Sequence, residues 1–235
     1  MDHEGEIRHD DPKTSKKHEL CVSIVPIFNH LPPEEMEMIA KATRPVSLKK
    51  GETLYRAGDT SNSLYIVHEG KIKVYRLSEN GKEQLIRILA PGEFTGELAV
   101  FTESIHEVYG EAMEKTEICS IKNSDLQELL QKHPNISLKI LAEFSKRLDS
   151  AEHQLTSFAT EDVDKRIALY LVELAEESET AVIRLPMSRK DLASFLGTAP
   201  ETISRKLTKF EEQGWIKQEN RRTILILDLD ALLLV

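Results

Sequence analysis

Three polar side chains near the C-terminus are of the types that read DNA bases. Glu201, Ser204 and Arg205 lie close together in the stretch that begins at Pro200. An arginine can make two hydrogen bonds to guanine, a glutamate can accept one from cytosine, and a serine can contact a thymine edge. The same residues could instead be ordinary exposed helix residues, with Glu201 favoured at a helix N-terminus by the helix dipole. The charge around these residues and the elements that carry them distinguish the two interpretations.

Positive charge is concentrated around these residues. The chain has a net charge of −9, with 31 Lys and Arg against 40 Asp and Glu. Between Arg184 and Arg222 the balance is reversed, because nine Lys or Arg stand against five Asp or Glu, a local charge of +4. Phosphate binding needs cations only where the nucleic-acid backbone passes. The residues expected to contact phosphates are Arg189, Lys190, Thr202, Lys206, Lys209, Arg221 and Arg222.

Two short helices and a hairpin are predicted to position these side chains. Ser188, followed by Asp191, resembles the capping box that opens a helix. A tight turn at Gly197-Thr198-Ala199 precedes a second helix over 200–213, and Pro200 suits its first position. Two helices joined by a short turn with glycine indicate a helix-turn-helix. Strands at 215–218 and 223–227, joined by a basic tip, predict a wing.

The preceding long helix carries a heptad pattern. Apolar residues recur with spacings of 3, 4, 3, 4 and 3, and polar residues fill the other faces. The apolar positions are Leu141, Phe144, Leu148, Ala151, Leu155 and Phe158. Such a narrow seam favours one partner helix, and a two-fold copy of itself is the simplest partner. The alternative is that the seam packs against the β-rich part of its own chain. Thr160 is predicted to cap the helix that follows.

Short β-rich segments separated by turn signals occupy the N-terminal half. Asn80-Gly81 between two alternating runs is the strongest hairpin signal. The predicted strands are Pro45–Leu48, Thr53–Arg56, Leu64–His68, Lys71–Leu77, Gln84–Leu89, Val108–Met113 and Glu117–Ile121. Helices are expected at Glu34–Lys41 and Asp125–Lys132. This spacing of strands predicts a small closed β-roll or barrel.

The composition sets further bounds. We expect a flexible tail at 1–19, a β-roll sensor domain at 20–133, a dimerisation helix at 134–159 and a winged helix-turn-helix domain at 160–235. No stretch is apolar and long enough for a membrane span, and the charged N-terminus lacks a signal-peptide pattern. Two cysteines exclude a disulfide-dense scaffold and suit a reducing cytosol, which predicts a cytoplasmic protein without membrane contact.

Two motifs and their order resemble one family. The stretch 185–216 looks like the DNA-binding domain of the CRP/FNR superfamily of bacterial transcription regulators. Gly92-Glu93-Phe94 and Gly96-Glu97-Leu98 resemble the phosphate-cassette region of its β-roll. Over about residues 20–235, the resemblance implies an α+β fold with an N-terminal antiparallel β-roll (a cyclic-nucleotide-binding-like jelly roll), a long dimerisation helix and a C-terminal winged helix-turn-helix. It also implies a homodimer that is not an enzyme, with double-stranded DNA and RNA polymerase as partners.

The recognition element is similar to the FNR-like branch. That branch is indicated by Glu201, Ser204 and Arg205 in the pattern Glu-x-x-Ser-Arg, and the resemblance implies an inverted repeat of a TTGAT-like half-site. The catabolite-activator branch has Gly before the Arg, and an Arg where this chain has Pro200. The outer bases of the half-site are therefore left open.

The resemblance implies an effector cassette that has degenerated. In the catabolite-activator branch an Arg-Ser pair holds the cAMP phosphate, and the corresponding positions here are Glu107 and Val108. No Lys or Arg occurs between Ile88 and Glu114, where there are six glutamates. An unpaired phosphate there would meet repulsion, so we expect no cAMP binding at Gly96, Glu97 and Leu98. An iron–sulfur cluster needs four thiolates, which two cysteines cannot supply, so no cofactor is expected.

The two cysteines leave two interpretations open. Cys21 and Cys119 can both be small buried apolar residues. They can instead form a reversible disulfide that reports oxidation, if their Cα atoms come within about 7 Å. A regulator without any small effector is the remaining possibility.

The residues argue against two other functions. A metal-dependent β-roll enzyme would need clustered ligands, but the roll has only His68 and His106 and no His-x-His pair. A ligand-binding β-roll subunit that acts through a protein partner would leave the predicted helix-turn-helix and basic wing without a role.

Overall fold

The computed structural model describes residues 22–102 and 104–235, and of Val100 only the backbone. The predicted tail at 1–19 and Cys21 lie outside the described residues. The chain divides into two compact units. The first contains the described residues up to Tyr75 together with those of Arg87–Phe144, and the second contains Arg76–Ile86 and Ser145–Val235. The predicted α+β class is confirmed.

The first unit is built around an antiparallel β-roll. Its strands are β1 (Thr43–Leu48), β2 (Thr53–Tyr55), β3 (Thr60–Ser61), β4 (Ser63–Glu69), β5 (Ile72–Leu77), β6 (Glu83–Leu89), β7 (Phe94–Thr95), β8 (Ser104–Ile105), β9 (Tyr109–Ala112) and β10 (Thr116–Lys122). One sheet has the order β1-β10-β4-β7, a second has β2-β9-β5-β6, and β3 pairs with β8. All seven predicted strands are present. The strands that the sequence missed, β3, β7 and β8, have two residues each.

Helices flank the roll. They are α1 (Pro33–Ala42), α2 (Leu98–Phe101), α3 (Asn123–Lys132) and the start of α4 (Pro134–Thr160). Ile136 and Ile140 of α4 are fully buried in a core that also contains Phe28, Ile66 and Phe94. The first turns of the long helix therefore pack on the roll, because apolar side chains on that face are removed from water.

The second unit contains the remaining helices and a three-stranded sheet. The helices are the rest of α4, α5 (Val163–Ser178), α6 (Arg189–Phe195), α7 (Pro200–Glu212) and α8 (Leu229–Leu233). The strands β11 (Val182–Arg184), β12 (Ile216–Gln218) and β13 (Thr223–Ile226) pair in the order β11-β13-β12. The prediction that Thr160 caps α5 was wrong. Thr160 ends α4, where its hydroxyl donates to the carbonyl of Thr156 at 2.9 Å, and Asp162 is the residue that precedes α5.

Candidate nucleic-acid interface

The pair α6 and α7 forms a helix-turn-helix whose first helix is capped as predicted. The Ser188 hydroxyl accepts a hydrogen bond from the backbone N–H of Asp191 at 3.2 Å. Gly197 lies in the turn with φ at +65°, a left-handed conformation that glycine adopts without steric cost. Pro200 occupies the start of α7, where its missing N–H leaves no intrahelical bond unmade.

The faces of α7 are clearly divided. Ile203, Leu207 and Phe210 are fully buried. Glu201 and Arg205 are exposed, and Ser204 is half-buried beside them. The three predicted base-reading residues therefore share the side of α7 away from its core. The Nη2 of Arg205 donates to the hydroxyl of Thr202 at 3.4 Å.

Two of the residues predicted to contact phosphate are paired with a carboxylate in the structure. Lys206 and Lys209 reach across to Asp164 on α5, with Nζ–O distances of 2.5 and 3.1 Å. Burial of Asp164 raises its pKa, but the hydrogen bonds and charges of the two lysines outweigh this and hold that pKa below its usual value. Both lysines thus fasten α7 to α5 and are not free surface cations. Asp164 was missed by the sequence analysis, since more than forty positions separate it from its partners.

Arg189 also has a structural partner. Its Nη2 donates to Oε1 of Gln218 in the wing at 2.7 Å, and its Nε donates to the carbonyl of Arg221 at 3.4 Å. The backbone and side-chain N–H groups of Gln218 donate to the Glu211 carboxylate at 2.6 and 2.8 Å, and they lower the pKa of Glu211. This network joins the start of α6, the end of α7 and the wing.

Four of the predicted phosphate contacts stay available at the surface. Lys190 is exposed at the start of α6, and Arg221 and Arg222 are exposed at the tip of the wing. Asn220 shapes that tip, because its Oδ1 accepts from the backbone N–H groups of Arg222 and Thr223 at 2.9 Å each. Thr202 is half-buried on α7. The cations therefore border the base-reading face, as phosphate binding requires.

The heptad positions of α4 fall into two groups. Leu141, Leu148 and Leu155 are 57–70 % exposed at intervals of seven residues, and Ala151 between them is exposed. The two phenylalanines differ from this stripe. Phe144 packs against the roll core and meets Phe101 at a ring distance of 6.1 Å. Phe158 lies against Gly197 and under the guanidinium of Arg166, 5.3 Å from its ring centre. Phe144 and Phe158 therefore have partners within their own chain.

The cassette of the β-roll contains a polar cluster that the sequence did not reveal. Arg87 of β6 pairs with Glu97, with 3.5 Å between Nη2 and Oε1, and its Nη2 lies 3.5 Å from the Thr95 hydroxyl. Thr95 also shares a 2.9 Å hydrogen bond with Tyr55. Gly96 is required there, since a Cβ would overlap the carbonyl oxygen of Ser63. Arg87 stands one residue before the cation-free stretch and was overlooked for that reason.

The rest of the cassette carries no exposed cation among the described residues. Glu107 is exposed, Val108 packs against the roll core, and Leu98 is 64 % exposed. His106 is buried and stacks on Tyr55 at a ring distance of 3.9 Å. Burial lowers the pKa of His106, although Asp59 and Glu97 oppose the shift. In the described part of the chain, no group of three or more His, Cys, Asp or Glu residues could hold a metal ion.

Cys119 lies in β10, is 5 % exposed and belongs to the roll core. It is also disulfide-bonded. The chain contains one other cysteine, Cys21, which lies outside the described residues. Within 22–102 and 104–235, no helix is long and apolar enough to cross a membrane.

Comparisons with known proteins agree with this architecture. Residues 45–133 match the model of a cyclic nucleotide-binding domain, and residues 165–234 match a Crp-like helix-turn-helix domain. A probable transcriptional regulator, flp, of Lacticaseibacillus casei is 32 % identical over 88 % of this chain and 94 % of its own length. The transcriptional activator protein Anr of Pseudomonas protegens is 34 % identical over 82 % of this chain and 80 % of its own.

A solved structure extends the similarity to the fold. The c-di-GMP responsive global regulator CLP of Xanthomonas campestris aligns with a TM-score of 0.73 and 26 % identity. The alignment covers 83 % of this chain and 99 % of that one.

Proposed function

The chain belongs to the Crp/Fnr family of transcription regulators, and from this premise we propose that it binds an inverted repeat of TTGAT as a homodimer. The family consists of DNA-binding regulators and not of enzymes, and its helix-turn-helix gives α6 and α7 their role. The observation that carries the specific proposal is the face of α7. Glu201, Ser204 and Arg205 lie there together, with guanine and cytosine as natural partners of the two charged side chains.

The exposed stripe on α4 supports the homodimer. Three leucines that are more than half exposed, seven residues apart, form the seam that a two-stranded coiled coil buries. A two-fold dimer would present two recognition helices about 34 Å apart, which matches one turn of DNA. Phe144 and Phe158 have partners in their own chain, so the proposed seam consists of Leu141, Leu148, Ala151 and Leu155.

Fluorescence anisotropy tests the DNA target. The duplex carries TTGAT, four base pairs of any sequence and ATCAA, and a scrambled duplex of equal length serves as the control. At one fixed salt concentration we expect the matched duplex to bind at least about 1000-fold more tightly, the usual lower margin of specific recognition. Equal affinity for both duplexes would reject the TTGAT target.

We further propose that the β-roll does not respond to cAMP. Glu97 is paired with Arg87, and Glu107 is a poor partner for a phosphate. Family membership leaves this question open, because CLP is named as responsive to c-di-GMP. Calorimetric titration with cAMP should give no binding heat, and the anisotropy curve should not move when cAMP is added. Saturable cAMP binding would overturn this proposal and leave the DNA target untouched.

Oxidation is the signal that the residues favour. We propose that Cys21 and Cys119 form a reversible disulfide. The proposal is supported by the disulfide-bonded state of Cys119 and by the presence of a single other cysteine in the sequence. The anisotropy assay, repeated with protein reduced by dithiothreitol and oxidised by diamide, should give two different affinities. The difference should vanish in Cys21→Ser, and equal affinities in both states would favour a constitutive regulator.

RNA polymerase is the proposed protein partner. Anr is named an activator, and activation by a DNA-bound dimer requires contact with polymerase at the promoter. Whether this chain activates or represses depends on where its site lies relative to the polymerase.

A further inference from the structure

The hairpin between β5 and β6 is fastened to the end of α6 through one serine. The Ser194 hydroxyl donates to the carbonyl of Glu83 at 2.7 Å and accepts from the backbone N–H of Leu85 at 2.8 Å. The side chain of Gln84 donates to the carbonyl of Ser194 at 2.6 Å. Three consecutive hairpin residues thus bind a single residue of the helix-turn-helix. All of them belong to the second compact unit.

The two carbonyls that follow Ser194 are also held by side chains from other elements. Nε2 of Gln154 in α4 donates to the carbonyl of Phe195 at 3.3 Å. Nε of Arg166 in α5 donates to the carbonyl of Leu196 at 3.2 Å. The last carbonyls of a helix have no partner within it. Here each of three successive carbonyls receives a side-chain donor from a different element.

The start of α7 depends on this anchoring. Ala199 precedes α7 and offers no side-chain cap, and Gly197 gives the turn little stiffness of its own. The N–H of Thr198 in the turn donates to the carbonyl of Ala193 in α6 at 2.8 Å, which ties the turn to the α6 end that Gln84, Gln154 and Arg166 hold. A shift of that end would move Glu201 and Arg205, which lie in the first turns of α7.

The tip of the hairpin also borders the DNA-facing side of the unit. Lys82 and Glu83 line one side of a shallow cleft, and Lys190, Asp191 and Pro200 line the other. The tip itself is well formed, because Gly81 adopts φ of +76° and its N–H donates to the carbonyl of Ser78 at 2.8 Å. A hairpin with a well-formed tip can hold the neighbouring helix ends in place.

We propose that Gln84 and Ser194 are positioning residues for DNA reading, through which the β5–β6 hairpin sets the start of the recognition helix. The inference rests on the proposed DNA-binding function. Neither residue touches DNA in this scheme, and both act through the turn at 197–199.

Removing the contact should weaken specific binding in particular. In full-length Ser194→Ala and Gln84→Ala, we expect the dissociation constant for the matched duplex to rise about five- to tenfold, as for loss of a partly buried hydrogen bond. Binding to the scrambled duplex should change less than twofold, because it depends on phosphate contacts. Ser194→Ala removes the two bonds of the hydroxyl, and Gln84→Ala removes a separate bond to the Ser194 carbonyl. The double variant should therefore lose more affinity than either single variant but less than the sum of the two losses, since neighbouring bonds are coupled. Ser194→Thr, which retains the hydroxyl, should keep most of the affinity.

Hydrogen exchange provides a readout that does not need DNA. The backbone N–H of Leu85 should exchange faster in Ser194→Ala than in the wild type, while the melting temperature changes little. Gln131→Ala, at an exposed glutamine of α3, is the matched control and should behave as the wild type.

The outcomes distinguish failure of the TTGAT proposal from failure of the positioning role. If the wild type shows no preference for the matched duplex, the TTGAT proposal fails, and the exchange of Leu85 still tests the contact. If the wild type is specific and Ser194→Ala binds equally well, the positioning role is rejected. Tighter specific binding by the variants would likewise overturn the positioning role. The hairpin contact would then be opposing the DNA-binding orientation of α7.

Discussion

Arg205 is the residue whose chemistry is most specific in the base-reading face. Its guanidinium is exposed, and its planar pair of donors matches the two acceptors of guanine in the major groove. Arg205→Ala should lose about 1–3 kcal/mol of binding free energy with the matched duplex and should discriminate less at that guanine. Anisotropy with duplexes substituted at the guanine position measures both effects.

Lys190→Ala is the matched control for Arg205. Lys190 is exposed at the start of α6 and is expected to contact only phosphate. Its removal should weaken matched and scrambled duplexes alike and should reduce the slope of log K against log salt by about 1. A uniform loss in Arg205→Ala as well would mean that Arg205 contacts phosphate instead of a base.

Asp164 limits the number of cations that the second unit offers to DNA. Its carboxylate holds Lys206 and Lys209, so neither lysine is free for non-specific phosphate contact. In Asp164→Asn we expect tighter binding to the scrambled duplex and a salt slope steeper by about 1–2, which corresponds to roughly one or two added phosphate contacts. The further changes Lys206→Met and Lys209→Met in that variant should return the slope to its original value. An unchanged slope in Asp164→Asn would show that the freed lysines do not reach DNA.

The same carboxylate should make stability depend on acid pH. Its pKa in the folded chain lies below the ordinary value of 3.8. A group with a lowered folded pKa stabilises the fold above its unfolded pKa, and this stabilisation is lost as the pH falls through the folded pKa. Urea unfolding should therefore show the wild type more stable than Asp164→Asn at pH 6, with the difference shrinking below about pH 4. Glu212→Gln, at an exposed carboxylate of α7, is the charge-matched control. A difference that does not begin to fall between pH 6 and about pH 3 would contradict the role of Asp164.

At the level of elements, the long helix α4 offers the sharpest test of assembly. Leu148 lies at the middle of the exposed stripe and is 62 % exposed. Leu148→Glu would place two like charges opposite each other in a two-fold seam and should produce monomers in sedimentation equilibrium. The exposed Ser150, about 200° around the helix, gives the control Ser150→Glu, which should remain dimeric. A dimer that survives Leu148→Glu would exclude this stripe as the interface.

The elements also show what the sequence could and could not predict. The Asn80-Gly81 hairpin, the capped start of α6 and the Gly197 turn were predicted correctly, because each follows from residues adjacent in sequence. Strands β3, β7 and β8 were missed, since two residues carry no periodicity and their pairing is decided by the rest of the roll. The three-residue strand β11 and the short helices α2 and α8 were missed for the same lack of periodicity. Local pattern thus identified the longer elements and missed the shortest ones.

The partners of the site residues could not be predicted in the same way. Arg87 with Glu97, Asp164 with the two lysines, and Gln84 with Ser194 are each joined by folding across a long or irregular stretch of chain. For the same reason, Phe158 fits the heptad spacing and yet packs on the helix-turn-helix. Spacing along the sequence predicts on which side of a helix a residue lies. Only the tertiary structure shows which other residues pack against that side.

At the scale of the whole molecule, charge is distributed to favour one face. The net charge of −9 would repel DNA if it were spread evenly, whereas the stretch from Arg184 to Arg222 carries +4. Asp164 neutralises part of the charge of Lys206 and Lys209. The exposed cations beside the base-reading face are then Lys190, Arg221 and Arg222. An acidic remainder discourages non-specific association, so specificity comes from the whole charge pattern as well as from base contacts.

Oxidation should change the stability of the whole chain. A bond between Cys21 and Cys119 would close a loop of about 100 residues, and restricting the unfolded chain in this way contributes about 4–5 kcal/mol in the entropic model. Oxidised wild type should therefore melt several degrees higher than reduced wild type, whereas Cys21→Ser and Cys119→Ser should each melt at one temperature in both conditions. Mass spectrometry under non-reducing conditions checks that the bond is within one chain, and reversal by dithiothreitol checks that it can serve as a signal. If the oxidised and reduced wild type melt together, the two cysteines do not form the proposed crosslink, and Cys119 serves only the core of the roll.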